Sequence, residues 1–134
     1  MKRRYLIVLI FLAVVAMLGF ILLILRSPED SYIKDSRGVW IKHGKPSAIS
    51  TEVAVQQELI QKAADLYSAE VAEGADLSQG PCLGKIDDDW VADITHSPRQ
   101  AVDDQIQNQC SDFIKGIAHH FIELDPNGNI VRVQ

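Results

Sequence analysis

Six side chains in this sequence are of the kinds that most often do chemistry: Cys82 and Cys110, and the histidines His43, His96, His119 and His120. Histidine is the common metal ligand and the acid–base group of neutral pH. His119 and His120 are neighbours on a segment that reads as a strand, so their side chains should point to opposite faces and not clasp one ion. A site would need one of them to meet His43 or His96, together with a carboxylate. Neither cysteine belongs to a Cys-x-x-Cys pair. The expected state is one intramolecular disulfide, Cys82–Cys110, worth about 3.5 kcal/mol in the chain-entropy model, with a reactive thiol as the alternative. Asp87, Asp88 and Asp89 could offer oxygens to Ca²⁺, but that ion takes six to eight ligands around Gly-permitted curvature. They read instead as a solvated hairpin tip, and Asp125-Pro126-Asn127-Gly128-Asn129 as a turn. No Gly-x-Ser-x-Gly turn and no glycine-rich phosphate loop is present. These patterns contain no catalytic set, and no metal or cofactor is expected.

The N-terminus positions everything else. Met1-Lys2-Arg3-Arg4 precedes an unbroken apolar run, Tyr5 to Leu25, closed by Arg26-Ser27-Pro28. About 21 residues make roughly 31 Å of helix, the thickness of a bilayer core. Residues 1–26 therefore read as a signal anchor, the chain's contact with the membrane. Bases concentrated before the run predict a cytoplasmic N-terminus and an extracytoplasmic remainder. A cleaved signal peptide would have a shorter apolar region. Val14-Val15-Ala16 could end one, but Met17 to Leu25 carries the run on. Gly19-Phe20 resembles a prepilin cleavage site only superficially, because it lies at the wrong end of the run. From Ser27 onward nine bases face 18 acids, a charge of −9. Such a domain should not seek nucleic acid. Both cysteines lie in this part, where disulfides persist after export.

Ser27 to Arg37 reads as a short linker (27–37) and the rest as one exported domain (38–134). Val39 to His43 is expected as the first strand. Ser50 should cap a helix running to Glu73, with Glu52 in its first turn and Gly74 as its stop. Val53, Val55, Leu59, Ile60, Ala63, Leu66, Tyr67 and Val71 share one half of the helical wheel. Gln56 projects into that half, expected as a long side chain satisfied by backbone. Leu83 to Ile86 is a candidate partner strand for Trp90 to His96 across the three aspartates. Ile117 to Leu124 and Ile130 to Val133 should form a terminal hairpin, with Phe121 opposite Val133 and Leu124 opposite Ile130. Both faces of that hairpin are apolar, so both should be covered. Between His96 and Gly116 lies a polar stretch, with Ser97-Pro98 able to start a short helix. The fold class is α+β: one long helix packed on an antiparallel sheet, in the order β-α-β-β-β-β.

That order is similar to the cystatin-like arrangement, and the terminal hairpin after a helix to the PepSY type of envelope module. The segments RGVWIKHGKPS (Arg37 to Ser47) and HHFIELDPNGNIVRV (His119 to Val133), with the anchor and the two cysteines, resemble a group of small bacterial membrane-anchored proteins. The resemblance implies an exported single domain and brings no activity or site residues with it. The functional expectation is a membrane-anchored extracytoplasmic interaction or binding module with an envelope protein as partner. Its expected surface is His43–Ile49 with Ser97–Ile114, where His96 and Arg99 are the polar contacts. One alternative is a small envelope hydrolase or metal-dependent protein using His43, His96 or His120. Another is a protease-inhibitor-like accessory module, suggested by the cystatin-like topology.

Overall fold

The structure is a computed structural model that describes residues 2–25 and 30–134. Residue 26 of the expected anchor and residues 27–29 of the expected linker lie outside the described residues. The chain divides into two units, which separate at Asp30/Ser31.

The first unit is the helix α1 (Lys2–Leu25), 24 residues long, with no acid in its first turn and no base in its last. Among the described residues no helix is long and apolar enough to cross a membrane.

The second unit is α+β. It contains β1 (Ser31–Lys34), β2 (Trp40–His43), α2 (Thr51–Glu73), β3 (Cys82–Asp87), β4 (Trp90–Ile94), α3 (Ser111–Ile114), β5 (His120–Leu124) and β6 (Ile130–Val133). α2 forms where expected. The Ser50 hydroxyl accepts the Val53 amide at 3.4 Å, and Gly74 closes the helix in the left-handed conformation.

Three expectations about the strands are corrected. Part of the expected linker is strand: β1 pairs antiparallel with β2 in a separate two-stranded sheet, Ile33 opposite Ile41. The segment around Val39 is thus one arm of a hairpin, not the first strand of the main sheet. Short polar strands such as Ser-Tyr-Ile-Lys carry little periodic signal. The main sheet, in the order β3-β4-β5-β6, is mixed and not antiparallel, because β4 and β5 run parallel. A parallel pair cannot be joined by a tight turn. The polar stretch after His96 supplies the crossover. The Ser97–Pro98 peptide is cis, and the first short helical turn begins only at Ala101. In the terminal hairpin Leu124 lies opposite Ile130 as expected, but an irregularity between Glu123 and Leu124 puts Ile122, not Phe121, opposite Val133.

α2 lies on one face of this sheet. Leu59 and Ala63 pack with Leu77, Ala92, Ile94, Ile122, Leu124 and Val133. The buried helix face is Val53, Gln56, Leu59 and Ala63, whereas Val55 is 49% exposed. The stripe is therefore rotated by part of a turn from the one expected through Val55. The opposite face carries Val91 and Phe121, covered by Cys110 and Ala118 of the crossover. Phe113 of α3 meets Phe121 edge-on at 5.2 Å.

The β1–β2 turn reaches the edge of the main sheet. The Val133 amide donates to the Arg37 carbonyl at 2.8 Å. Gly38 sits there with φ +81°, and an added Cβ would collide with the Val133 carbonyl oxygen, so both the conformation and the approach require glycine.

Candidate functional site

Two places on this fold gather functional groups, one on each face of the main sheet.

On the α2 face, β2, the first turns of α2 and the start of β4 frame a cleft of about 390 Å³. Trp40 and Trp90, the only tryptophans of the chain, both line it, with Val55, Leu59 and Val133 supplying apolar wall. Trp90 and Trp40 each open a strand, which puts their rings at the rim of a sheet. Trp90 lies opposite His120 in the parallel register, and their rings stack at 4.7 Å. The Lys34 ammonium lies 5.2 Å from the centre of the Trp40 ring. Gln56 fixes the cleft floor. Its carbonyl oxygen accepts the Trp40 amide at 2.7 Å and its nitrogen donates to the Gly38 carbonyl at 2.9 Å. The side chain expected to be satisfied by backbone is so satisfied, and it ties the hairpin to the helix.

Just outside the cleft, Asp89 draws in two histidines. His119 Nδ1 lies 2.6 Å from one carboxylate oxygen, and His120 Nε2 lies 3.6 Å from the other. The expectation that these neighbours point apart is thereby corrected. His119 precedes β5 and is not bound by strand alternation. The side-chain hydrogen bond to His119 holds the Asp89 carboxyl below its ordinary value, with the His119 amide adding to the effect.

On the opposite face lies a cluster of charges. Asp93 on β4 faces Glu123 on β5, and Glu123 faces Arg132 on β6. The buried Glu123 carboxylate accepts from Arg99 at 3.0 Å and from Arg132 at 3.0 Å. Arg99 also donates to Asp104 and Thr95. Burial pushes the Asp93 carboxyl up to about 7, and the neighbouring Glu123 carboxylate adds to this. His96 turns inward: its Nδ1 lies 2.7 Å from Asp103, whose side chain is 1% exposed. Burial alone would raise Asp103, but the Gln100 amide, the His96 ring and the His96 amide outweigh it and hold the carboxyl low.

Cys82 and Cys110 are joined in a disulfide, as the sequence suggested. Cys82 lies opposite Asp93 in the β3–β4 ladder. One ligand-type atom each of Cys82, Asp93 and Cys110 falls within 4.8 Å of the others. With its sulfurs bonded to each other, this trio offers no thiolate to a metal.

Of the expected surface residues, His96 and Arg99 come together around Asp103, Glu123 and Asp104. His43 stays exposed at the end of β2, and among the described residues no hydrogen bond or ion pair joins it to either. Sequence reasoning missed Trp40, Trp90 and Asp93. The two tryptophans were legible as a signal, since each opens a strand. Asp93 was hidden in the alternation of its strand. No family model, no curated protein and no solved structure matches this chain.

Proposed function

We propose that this chain is a membrane-anchored extracytoplasmic binding module, and that the Trp40–Trp90 cleft takes an apolar group of an envelope protein. The carrying observation is the cleft itself: about 390 Å³, with the chain's two tryptophans and Val55, Leu59 and Val133 in its wall. Binding sites are typically concave and mostly apolar, with a few polar groups to orient the ligand. Thr51, Glu52 and Gln134 supply those groups here. The anchor reading rests on α1 and its sequence. The run from Tyr5 to Leu25 carries no charge, and its length as a helix matches a bilayer core.

The hydrolase alternative draws on one observation, the approach of His119 and His120 to Asp89. These side chains are 46–68% exposed, and among the described residues no hydroxyl or thiol bonds to either ring. A hydrolytic site needs a positioned nucleophile or a metal beside its base, so the binding reading is preferred.

The test is photocrosslinking in intact membranes from a reactive group placed at Val55, on the exposed rim of the cleft. A discrete envelope-protein adduct that disappears in Trp40→Ala is expected. No adduct from Val55, or one indifferent to Trp40→Ala in a folded protein, would overturn the proposal.

A further inference from the structure

We infer that the Cys82–Cys110 disulfide is an exchangeable redox pair, opened by an external dithiol, with the Asp93 carboxyl handing a proton to the departing sulfur of Cys110. The inference is independent of the Trp40–Trp90 cleft, which lies on the other face of the sheet.

Three observations converge on it. The first is placement: Asp93 sits opposite Cys82 in the β3–β4 ladder, and its carboxylate shares a 4.8 Å neighbourhood with both sulfurs. The second is that Asp93 Oδ1 is enclosed and has no hydrogen-bond partner among the described residues. An enclosed carboxylate oxygen without a partner is costly, and such groups are tolerated where they serve a purpose. The third is a path for the proton: a cavity of about 120 Å³, bordered by Asp93, Cys110, Arg99, Phe113 and Arg132, lies beside the departing sulfur, while the attacked Cys82 is half-buried and outside its lining. A disulfide that only staples a fold needs neither a cavity nor a proton carrier.

The charges around Asp93 suit a group that gives and takes a proton near neutrality. Glu123 faces it from β5, and Asp103 adds a second negative charge from the crossover. Arg99 opposes them but is already engaged by Glu123, as is Arg132 from β6. Burial, with Glu123, pushes Asp93 up to about 7, so it carries a proton part of the time at neutral pH.

The exchange balances as follows. A thiolate of the dithiol attacks Sγ of half-buried Cys82, because Cys110 is only 4% exposed. A bond forms between that thiolate and Cys82, the Cys82–Cys110 bond breaks, and its electron pair goes to Cys110. Protonated Asp93 gives its proton to the Cys110 thiolate and regains one from solvent. The second thiol of the dithiol loses a proton and attacks its own partner sulfur. It leaves as a cyclic disulfide, and Cys82 takes up the proton. The protein gains two electrons and two protons, and the dithiol loses them. In the oxidising direction the Asp93 carboxylate accepts the Cys110 proton.

The experiment follows the reduction of the full chain in detergent micelles by dithiothreitol. Alkylation of freed thiols is read by mass from pH 5.5 to 8.5, with rates divided by the reagent's thiolate fraction. Circular dichroism reports whether the fold persists. Wild type should be reduced while folded, with a break in the corrected rate near pH 7. Asp93→Asn should be reduced about ten-fold more slowly below that break and should lack it. A bridge that yields only when the protein unfolds would overturn the inference, as would a folded Asp93→Asn that matches wild type at every pH. Should Asp93→Asn not fold, the wild-type profile decides alone, because a corrected rate without a break near 7 excludes a proton from Asp93.

Discussion

The Gln56 carboxamide holds the Trp40 amide at 2.7 Å while donating to the Gly38 carbonyl at 2.9 Å, so one helix side chain completes the backbone of the neighbouring hairpin. Gln56 is 7% exposed, and the groups it pairs would otherwise lack those partners. Gln56→Ala should therefore cost about 1–3 kcal/mol, the penalty of leaving buried polar groups unpaired. Because Trp40 is one of the two groups it pairs, tryptophan emission in the folded variant should shift red. Chemical denaturation and an emission spectrum measure both.

Leu59 and Val55 are separated by one helical turn, and only Leu59 is in the core. Leu59→Ala should destabilise by about 2–5 kcal/mol. Val55→Ala should change stability by less than about 0.5 kcal/mol, as surface substitutions do. Equal effects in urea titrations would mean that the helix sits on the sheet by a different face.

Asp93 should give the domain an unusual pH dependence. Its folded pKa, about 7, is above the ordinary 3.8. The folded state then binds more protons than the unfolded one between these values, so stability falls as pH rises from about 4 to 7. The carboxyls held low, Asp87 and Asp89 among them, act in the opposite sense. Their contribution is present above their unfolded pKa and is lost as pH falls through their folded values. Thermal melts should therefore peak in mildly acid solution, and Asp93→Asn should flatten the decline between pH 5 and 8. A decline unchanged in that variant would assign it elsewhere.

Asp103 organises the start of the crossover by accepting from the amides of His96 and Gln100 and approaching the His96 ring. Asp103→Ala removes all three contacts from a nearly inaccessible site. A loss of about 1–3 kcal/mol is expected. Limited proteolysis should then cut between Ser97 and Gln109 sooner than in wild type, while α2 stays protected from hydrogen exchange.

The parts of this fold that repeat or cap were readable from sequence. α2 announced itself by Ser50, its apolar stripe and Gly74, and the last hairpin by Asp125-Pro126-Asn127-Gly128. Parallel pairing was not readable, because strand periodicity carries no direction: Trp90 to Ile94 alternates equally well against either kind of neighbour. The exact helix face was missed because Val55 and Val53 are equally apolar, and only the position of the sheet distinguishes them. The two tryptophans met across a cleft because of tertiary packing alone, 50 positions apart in sequence. Asp93 is legible only in three dimensions, since an acid at an alternating position otherwise reads as solvent-facing.

The parallel ladder from Trp90↔His120 to Ile94↔Leu124 joins residues 30 positions apart at every rung. No rung can template the next through a turn, and contacts of that span are reached late in a conformational search. α2 and the two local hairpins, β3–β4 and β5–β6, should thus form before the ladder that unites them. Until it closes, Ala92, Ile94, Ile122 and Leu124, the middle of the finished core, stay uncovered. Substitutions that slow closure of the ladder, even if neutral to the finished fold, should show first as lower yield and clumping of newly made chains.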